Sequence, residues 1–477
     1  MNKIPKESRV VIVGGGVIGC SVAYHLAKLG WSDIILLEQG EIAGGTSWHA
    51  AGMVGQLRTS NSLTKINKYS VELYKKISGE TGISIGWNQC GSLNLGTTDQ
   101  RMVQLNRTAA MAEVFGVNVE LIDSKKCLEK WPVMSEEGIL GGVWLPDDGK
   151  VEPKQLTQCL AKGAEDYGVK IYEGGTVEKI LINNTTVKGV LTNQGEIKSE
   201  WTILCGGMWA RQLGMDIGID IPLYPVEHHY VISEPVQGIN ADLPCTREPN
   251  EMIYFRSEDD GGIRLGGFQK ISKPWEIKRI PNDFSFKLFD PDWEFFKQPL
   301  EAGKKRIPEL QECNFPKFVN GPESFTPDNN FIMGVPTGCN GLFVLAGFNS
   351  VGIASAGGAG KYASEWLDAG YPTMDLWSVD IRRFTSVQND TEYLTGRVVE
   401  VLGLHYQMAW PNREMETSRN IRFTPLYNRF KNKGALIDNN VKLMVTSLSE
   451  MKFELYDLLN DPEESNDIAN LNQDLLG

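Results

Sequence analysis

Three groups of residues in this chain have types and spacings that could do chemistry. Gly14, Gly16 and Gly19 form a G-x-G-x-x-G run directly after an apolar run at residues 10–13. In such a run the first glycine permits a sharp turn, the second lets backbone approach a pyrophosphate, and the third lets the following helix pack on the strand. Glu38 lies 19 residues past Gly19, at the end of the next apolar run. A carboxylate there can accept hydrogen bonds from both hydroxyls of an adenosine ribose. The third group is Trp48-His49, set in the small-residue stretch from Gly44 to Gly52. An imidazole there is a nucleophile with no evident structural partner.

Positioning these groups needs a strand, a helix and a second strand. Ile18, Val22 and Leu26 recur at helical spacing, Gly30 supplies a stop, and residues 34–37 are again apolar. Strand, glycine loop, helix, strand and terminal acid agree on a dinucleotide site rather than an ordinary tight turn. The helix N-terminus adds free amides and a positive dipole for the phosphates. A nicotinamide-binding domain would continue into another βαβ unit. This chain gives Gly45, Thr46, Ser47, Trp48, His49, Ala50, Ala51 and Gly52 instead, whose small side chains allow close approach to a flat ring. On composition alone, a packed or surface histidine is an equal reading of His49.

The chain has 477 residues, a net charge of −13 and a pI near 5.1. That length suits about three domains' worth of packed material. The acidic balance argues against nucleic acid or an anionic membrane as partner. No apolar run approaches the roughly 18–20 residues needed to span a bilayer. Few residues precede the first strand, so a cytoplasmic protein is expected, or one of the mitochondrial matrix for a mature organellar form. The eight cysteines contain no CxxC and no cysteine–histidine cluster, which fits reduced thiols and gives no metal site.

Further along, helices are predicted at residues 62–77 (stopped by Gly79), 101–115, 153–167 and 354–367, with another at 393–402. Short strands are predicted at 87–95, around Ile171, at 177–182, 187–192 and 201–204, and at 343–346. Residues from about 216 to 320 are rich in proline and aromatics, with strand-like runs at 229–232 and 252–256, and read as a β-rich insertion. The expected fold is α/β: a discontinuous Rossmann-type cofactor domain (1–55, 150–215 and 321–384) with an inserted β-rich substrate domain (56–149 and 216–320). A connector (385–435) and a tail (436–477) follow.

The S-W-H-A-A-G segment after the fingerprint resembles the sarcosine dehydrogenase and dimethylglycine dehydrogenase family of flavoenzymes. The likeness continues through GQLRTSN from Gly55, GWNQCGSL from Gly86, FDPDWEFF from Phe289, GPESFTPD from Gly321, GFNSVGI from Gly347 and LWSVDIRRF from Leu376. It implies a D-amino-acid-oxidase-like fold that binds FAD, with His49 carrying the isoalloxazine ring covalently. The cofactor contacts expected from fingerprint and resemblance together are Gly14, Gly16, Val17, Ile18, Gly19, Glu38 and Gln39, and residues 45–52. Val177, Gly206, Gly207 and Trp209 are expected at the adenine half, and Asn349, Gly352 and Ile353 at the flavin's pyrimidine edge.

On the substrate side the resemblance points to His228 and Tyr254. The second match admits a one-residue slip onto Phe255, which would exchange strand faces. A substrate carboxylate needs a cation, and Arg58 and Arg256 are the candidates, either equally readable as a surface arginine. The implied activity is FAD-dependent oxidative demethylation of a small N-methylated glycine, with an electron-transfer flavoprotein or dioxygen taking the electrons. The family likeness extends to the noncatalytic regulatory subunit of pyruvate dehydrogenase phosphatase, which is the alternative. The folate-binding half of longer relatives is not expected after Ala435. FELYDLLNDPEESNDIA from Phe453 resembles the C-terminal signature of sulfatases, without their active-site motif, and is expected to be structural.

Overall fold

The glycine fingerprint follows an internal strand of a parallel sheet, as the sequence predicts. The computed structural model describes residues 4–408 and the backbone of three later strands. In the first sheet, Leu342–Ala346, Gly195–Leu204, Glu7–Val13, Ile34–Glu38 and Lys170–Glu173 lie side by side in that order, all parallel. Ile332–Gly334 pairs antiparallel at one edge, and a hairpin of Val177–Asn183 and Thr186–Thr192 extends from Gly195–Leu204. Strands such as Ile34–Glu38 are buried along their whole length, which accounts for runs that do not alternate apolar with polar.

Helices Val17–Lys28, Asn61–Thr81, Pro153–Asp166 and Gly352–Ala369 pack together over this sheet. Glycines set the closeness of that packing. A Cβ at Gly358 would overlap the carbonyl oxygen of Ile66, and one at Gly360 the hydroxyl of Ser21. Helix Asn61–Thr81 runs past its predicted stop. Gly79 is tolerated within it, and the chain turns at Gly82, whose φ of +74° is the left-handed cap conformation.

The second sheet has eight strands in the order Lys317–Phe325, Tyr224–Ile232, Ile263–Gly267, Ile253–Ser257, Cys245–Glu248, Ser92–Gly96, Gly141–Leu145 and Glu120–Asp123. Every neighbouring pair is antiparallel except Cys245–Glu248 with Ser92–Gly96. It is built from the two chain segments expected to form the substrate domain, but the expected boundary at residue 321 falls inside strand Lys317–Phe325. Helix Trp293–Arg306, in the stretch read as β-rich, went unpredicted because Pro299 interrupts its pattern. Asp292 caps it by accepting from the Phe295 amide, and the Pro299 ring fills the space over Gly267.

Residues 418–477 form a separate unit, in which Gly434–Asp438, Val441–Ser447 and Lys452–Asp457 pair antiparallel. Residues 409–433 of the expected connector and most of the sulfatase-like segment lie outside the described residues.

Candidate active site

One cavity of about 800 Å³ runs from the glycine fingerprint to the face of the second sheet. At its first end Gly14 takes φ +107°, where a Cβ would stand 2.5 Å from the Cys205 carbonyl oxygen. Gly19 fills the packing role, since a Cβ there would overlap the Gly14 carbonyl oxygen. Glu38 is buried and accepts from the backbone amides of Gly15 (2.7 Å) and Gly40 (2.9 Å). Burial raises its pKa and those amides partly offset the rise. The Ser47 hydroxyl accepts from the Val17 amide at 3.0 Å and so stands at the helix N-terminus. Gly14, Gly16, Val17, Ile18, Glu38, Gln39, Val177, Gly206, Gly207 and Trp209 all line this end; Gly19 stands behind it.

Gly45, Thr46, Ser47, His49, Ala50, Ala51 and Gly52 line the middle of the cavity, whereas Trp48 packs behind against Phe286. The His49 ring lies on Gly321 of the second sheet: a Cβ at that glycine would stand 2.6 Å from Nδ1 and 2.9 Å from Nε2. Burial pushes the His49 pKa down to about 4, with Glu323 opposing and His228 reinforcing the shift. At neutral pH the ring is uncharged and retains a nucleophilic lone pair.

Strand alternation then decides the substrate end. His228 and Tyr230 share a face of Tyr224–Ile232 and line the cavity, while His229 is buried on the other face among Phe295, Phe296 and Phe318. Tyr254 likewise lines the cavity, and Phe255 packs on Trp131 behind the sheet. The Tyr254 ring lies over Gly266, its cross-strand partner, where a Cβ would overlap it. His228 Nε2 lies 3.0 Å from the Gly267 carbonyl and must donate to it, leaving Nδ1 beside the Ser350 hydroxyl (3.1 Å) and the Glu323 carboxylate (3.4 Å). Burial pushes Glu323 up, but the charge and hydrogen bonding of His228, with Ser350 and His49, outweigh it and hold the carboxyl at about 2.

Ser350 and Asn349 both sit at positive φ (+62° and +48°), conformations that cost about 1–3 kcal/mol each. The Asn349 side chain pins this loop, donating to the Gly347 carbonyl (2.6 Å) and accepting from the Thr326 amide (2.8 Å). Asn349, Gly352 and Ile353 line the cavity where helix Gly352–Ala369 begins.

The two predicted arginines part company. Arg58 lines the cavity, its Nε without a hydrogen-bond partner among the described residues, and burial with Arg247 nearby pushes its pKa down to about 10. Arg256 is not among the lining residues. It shares the face of Tyr254, but Glu152 (3.5 Å) and Glu258 (3.4 Å) take its guanidinium. Sequence reasoning missed Arg247 and Arg101, which line the cavity with Arg58; the lining carboxylate of Asp148 interacts with Arg58 and Arg247. Arg247 is the cross-strand partner of Tyr254 and of Asn94, so Tyr230, Tyr254, Arg247 and Asn94 cross the sheet in one row. That row joins distant stretches of chain and had no local signal; nor did Glu323 or Ser350.

A Rossmann-type sheet and a largely antiparallel sheet that share one long cavity, with phosphate-type cradles at one end and titratable groups at the other, define a dinucleotide-dependent enzyme. The chain belongs to the FAD dependent oxidoreductase family, whose profile matches residues 9–366; that of the FAD dependent oxidoreductase central domain matches residues 369–424. It is 40% identical over 432 residues to a 4-methylaminobutanoate oxidase (formaldehyde-forming) of Paenarthrobacter nicotinovorans, which covers 91% of this chain and 52% of that protein. It is 37% identical to the mitochondrial pyruvate dehydrogenase phosphatase regulatory subunit of Mus musculus (91% and 49%) and 31% to mouse mitochondrial sarcosine dehydrogenase (91% and 47%). The chain thus spans about half the length of these relatives. Among solved structures, L-proline dehydrogenase from P. horikoshii superposes with a TM-score of 0.73 at 28% identity, covering 80% of this chain and 98% of that one.

The residues present fit FAD. Gly14 and Gly16 leave backbone accessible, Glu38 faces the cavity, and small residues border its centre, as an elongated ligand with a pyrophosphate and a flat ring requires.

Proposed function

We propose that this chain oxidatively demethylates a small N-methylated glycine, sarcosine or dimethylglycine, with FAD tied covalently to His49. The observation that carries the reading is a neutral imidazole, His49, in one cavity with His228, Tyr254 and three arginines. FAD supplies the acceptor for a hydride from the substrate's N-methyl carbon, and water splits the resulting iminium into formaldehyde and the demethylated amine.

The chain's own residues do the rest. Glu38 accepts from the ribose hydroxyls, and the amides around Gly16 and Val17 meet the pyrophosphate. Arg58 and Arg247 receive the substrate carboxylate, with Arg247 beside Tyr254 through the strand register. Hydride leaves readily from a neutral amine. His228 Nδ1 takes the ammonium proton, and Glu323 at 3.4 Å stabilises the imidazolium formed. Tyr254 and Phe268 wall the amine from water.

Anaerobic titration of the flavin-loaded protein tests this: sarcosine or dimethylglycine should bleach the flavin absorbance, and no bleaching by either overturns it. 4-Methylaminobutanoate, the substrate named for the 40%-identical relative, is the competing arm. An electron-transfer flavoprotein is the proposed acceptor, and rapid reoxidation in air would assign dioxygen instead. The noncatalytic alternative is not favoured, because a regulatory role gives no reason for His49, His228 and the arginines to converge on one cavity.

A further inference from the structure

We infer that Arg264 is a positioning residue for the loop that presents His49 to the flavin. This rests on the reading of His49 as the covalent ligand. Arg264 comes from strand Ile263–Gly267 of the second sheet, yet its Nη1 donates to the carbonyls of Ala50 (3.2 Å) and Ala51 (3.1 Å), the two residues that follow His49. Neither alanine has a side chain able to hold the loop. The guanidinium is itself fixed: Nε lies 2.7 Å and Nη2 3.2 Å from the two oxygens of Glu258, and the Tyr230 ring lies 4.9 Å away. Arg256 backs the same carboxylate at 3.4 Å and reaches the partly exposed Glu152 at 3.5 Å, so two acids and two arginines balance in one cluster. Arg264 is buried and is not among the cavity-lining residues. It therefore acts through His49 and touches neither cofactor nor substrate.

Two constraints meet on the imidazole. Gly321 seats the ring from the second sheet, and Arg264, from the same sheet, holds the backbone just beyond it. The second sheet thus sets the position of a nucleophile carried by the loop that follows strand Ile34–Glu38 of the first sheet. Attachment trades the imidazole N–H and one C–H of the ring system for a C–N bond, and the two protons and two electrons released pass to dioxygen. Such a bond needs near-attack placement, and a displacement of about 1 Å costs about 100-fold in rate.

The test uses the full chain produced without flavin. FAD is added, acid-precipitable flavin and the mass of the denatured protein are followed in time, and noncovalent affinity is read from flavin fluorescence. Arg264→Ala should bind FAD with a Kd close to that of the unmodified chain but attach it about 100-fold more slowly, and millimolar guanidinium should restore part of the rate. Where Arg264→Ala does not fold, Arg264→Lys, which keeps a charge beside Glu258 but has no fork, should show slowed attachment at unchanged Kd. Attachment at the unmodified rate, affinity and attachment lost in parallel, or failure of guanidinium to rescue would each overturn the inference. Absence of acid-stable flavin in the unmodified chain would instead overturn the reading of His49, and this inference with it.

Discussion

Gly321→Ala places a single methyl group against His49, and the structure sets the size of the effect. The added carbon would stand 2.6 Å from Nδ1 and 2.9 Å from Nε2, with Cε1 closer still. Ordinary contact is about 3.5–4.0 Å, so the ring must withdraw by about 1 Å. Gly321 lies within a strand paired residue by residue with Tyr224–Ile232, opposite His228, so the backbone has little freedom to yield. Overpacking of this kind costs about 1–3 kcal/mol, less than the stability of a typical domain. The variant should therefore fold and bind FAD noncovalently, while covalent attachment slows about 100-fold. Acid precipitation after timed incubation with FAD reads the rate, and urea unfolding reads the stability. Truncating the imidazole removes the clash, so Gly321→Ala should cost little stability in a His49→Ala background. An equal cost in both backgrounds, or attachment at the unmodified rate, would refute the seating of His49 on Gly321.

Three further outcomes follow from the same geometry. Glu38→Ala in a His49→Ala background should weaken FAD by about 1.5–3 kcal/mol for each charged hydrogen bond lost; an unchanged Kd by fluorescence titration would show that the ribose lies elsewhere. Arg58→Met and Arg247→Met should each raise KM for a carboxylate substrate about 10- to 100-fold with a smaller change in kcat, and steady-state kinetics in which kcat alone falls would count against carboxylate binding. His25 is held neutral in the fold, with Nδ1 2.7 Å from the Ser21 carbonyl, and burial lowers its pKa from 6.5 to about 4. The unfolded chain takes up that proton first, so stability should fall between pH 6.5 and 4, by about 3 kcal/mol from this group. His25→Gln should flatten that part of the urea-unfolding profile, and an unaltered slope would reject the assignment.

The first 52 residues were legible because their signals are local. Three glycines, an acid and a small-residue loop each need only their near neighbours, and the structure gathers nearly all of them along one cavity. The helix at Trp293–Arg306 was not legible, because Pro299 breaks the pattern that advertises a helix and tertiary packing over Gly267 compensates for it. The reach of helix Asn61–Thr81 past Gly79 has the same character: glycine stops a helix only where the backbone turns left-handed, and here that residue is Gly82.

The substrate end shows what period-two patterning decides and what it leaves open. Alternation separates His228 from His229 and Tyr254 from Phe255, since adjacent residues on a strand must face opposite sides. It cannot separate Arg256 from a cavity residue, because Arg256 lies two positions beyond Tyr254 and shares its face. What withdraws Arg256 is a pair of acids, Glu258 from the turn just beyond the strand and Glu152 from before helix Pro153–Asp166. Arg247 takes the place beside Tyr254 by the converse route, through a strand register that only the folded sheet establishes. The cation beside Tyr254 across the sheet is therefore fixed by pairing between strands, and the arginine two positions on in sequence is consumed in holding Glu258, the anchor of Arg264 behind the His49 loop.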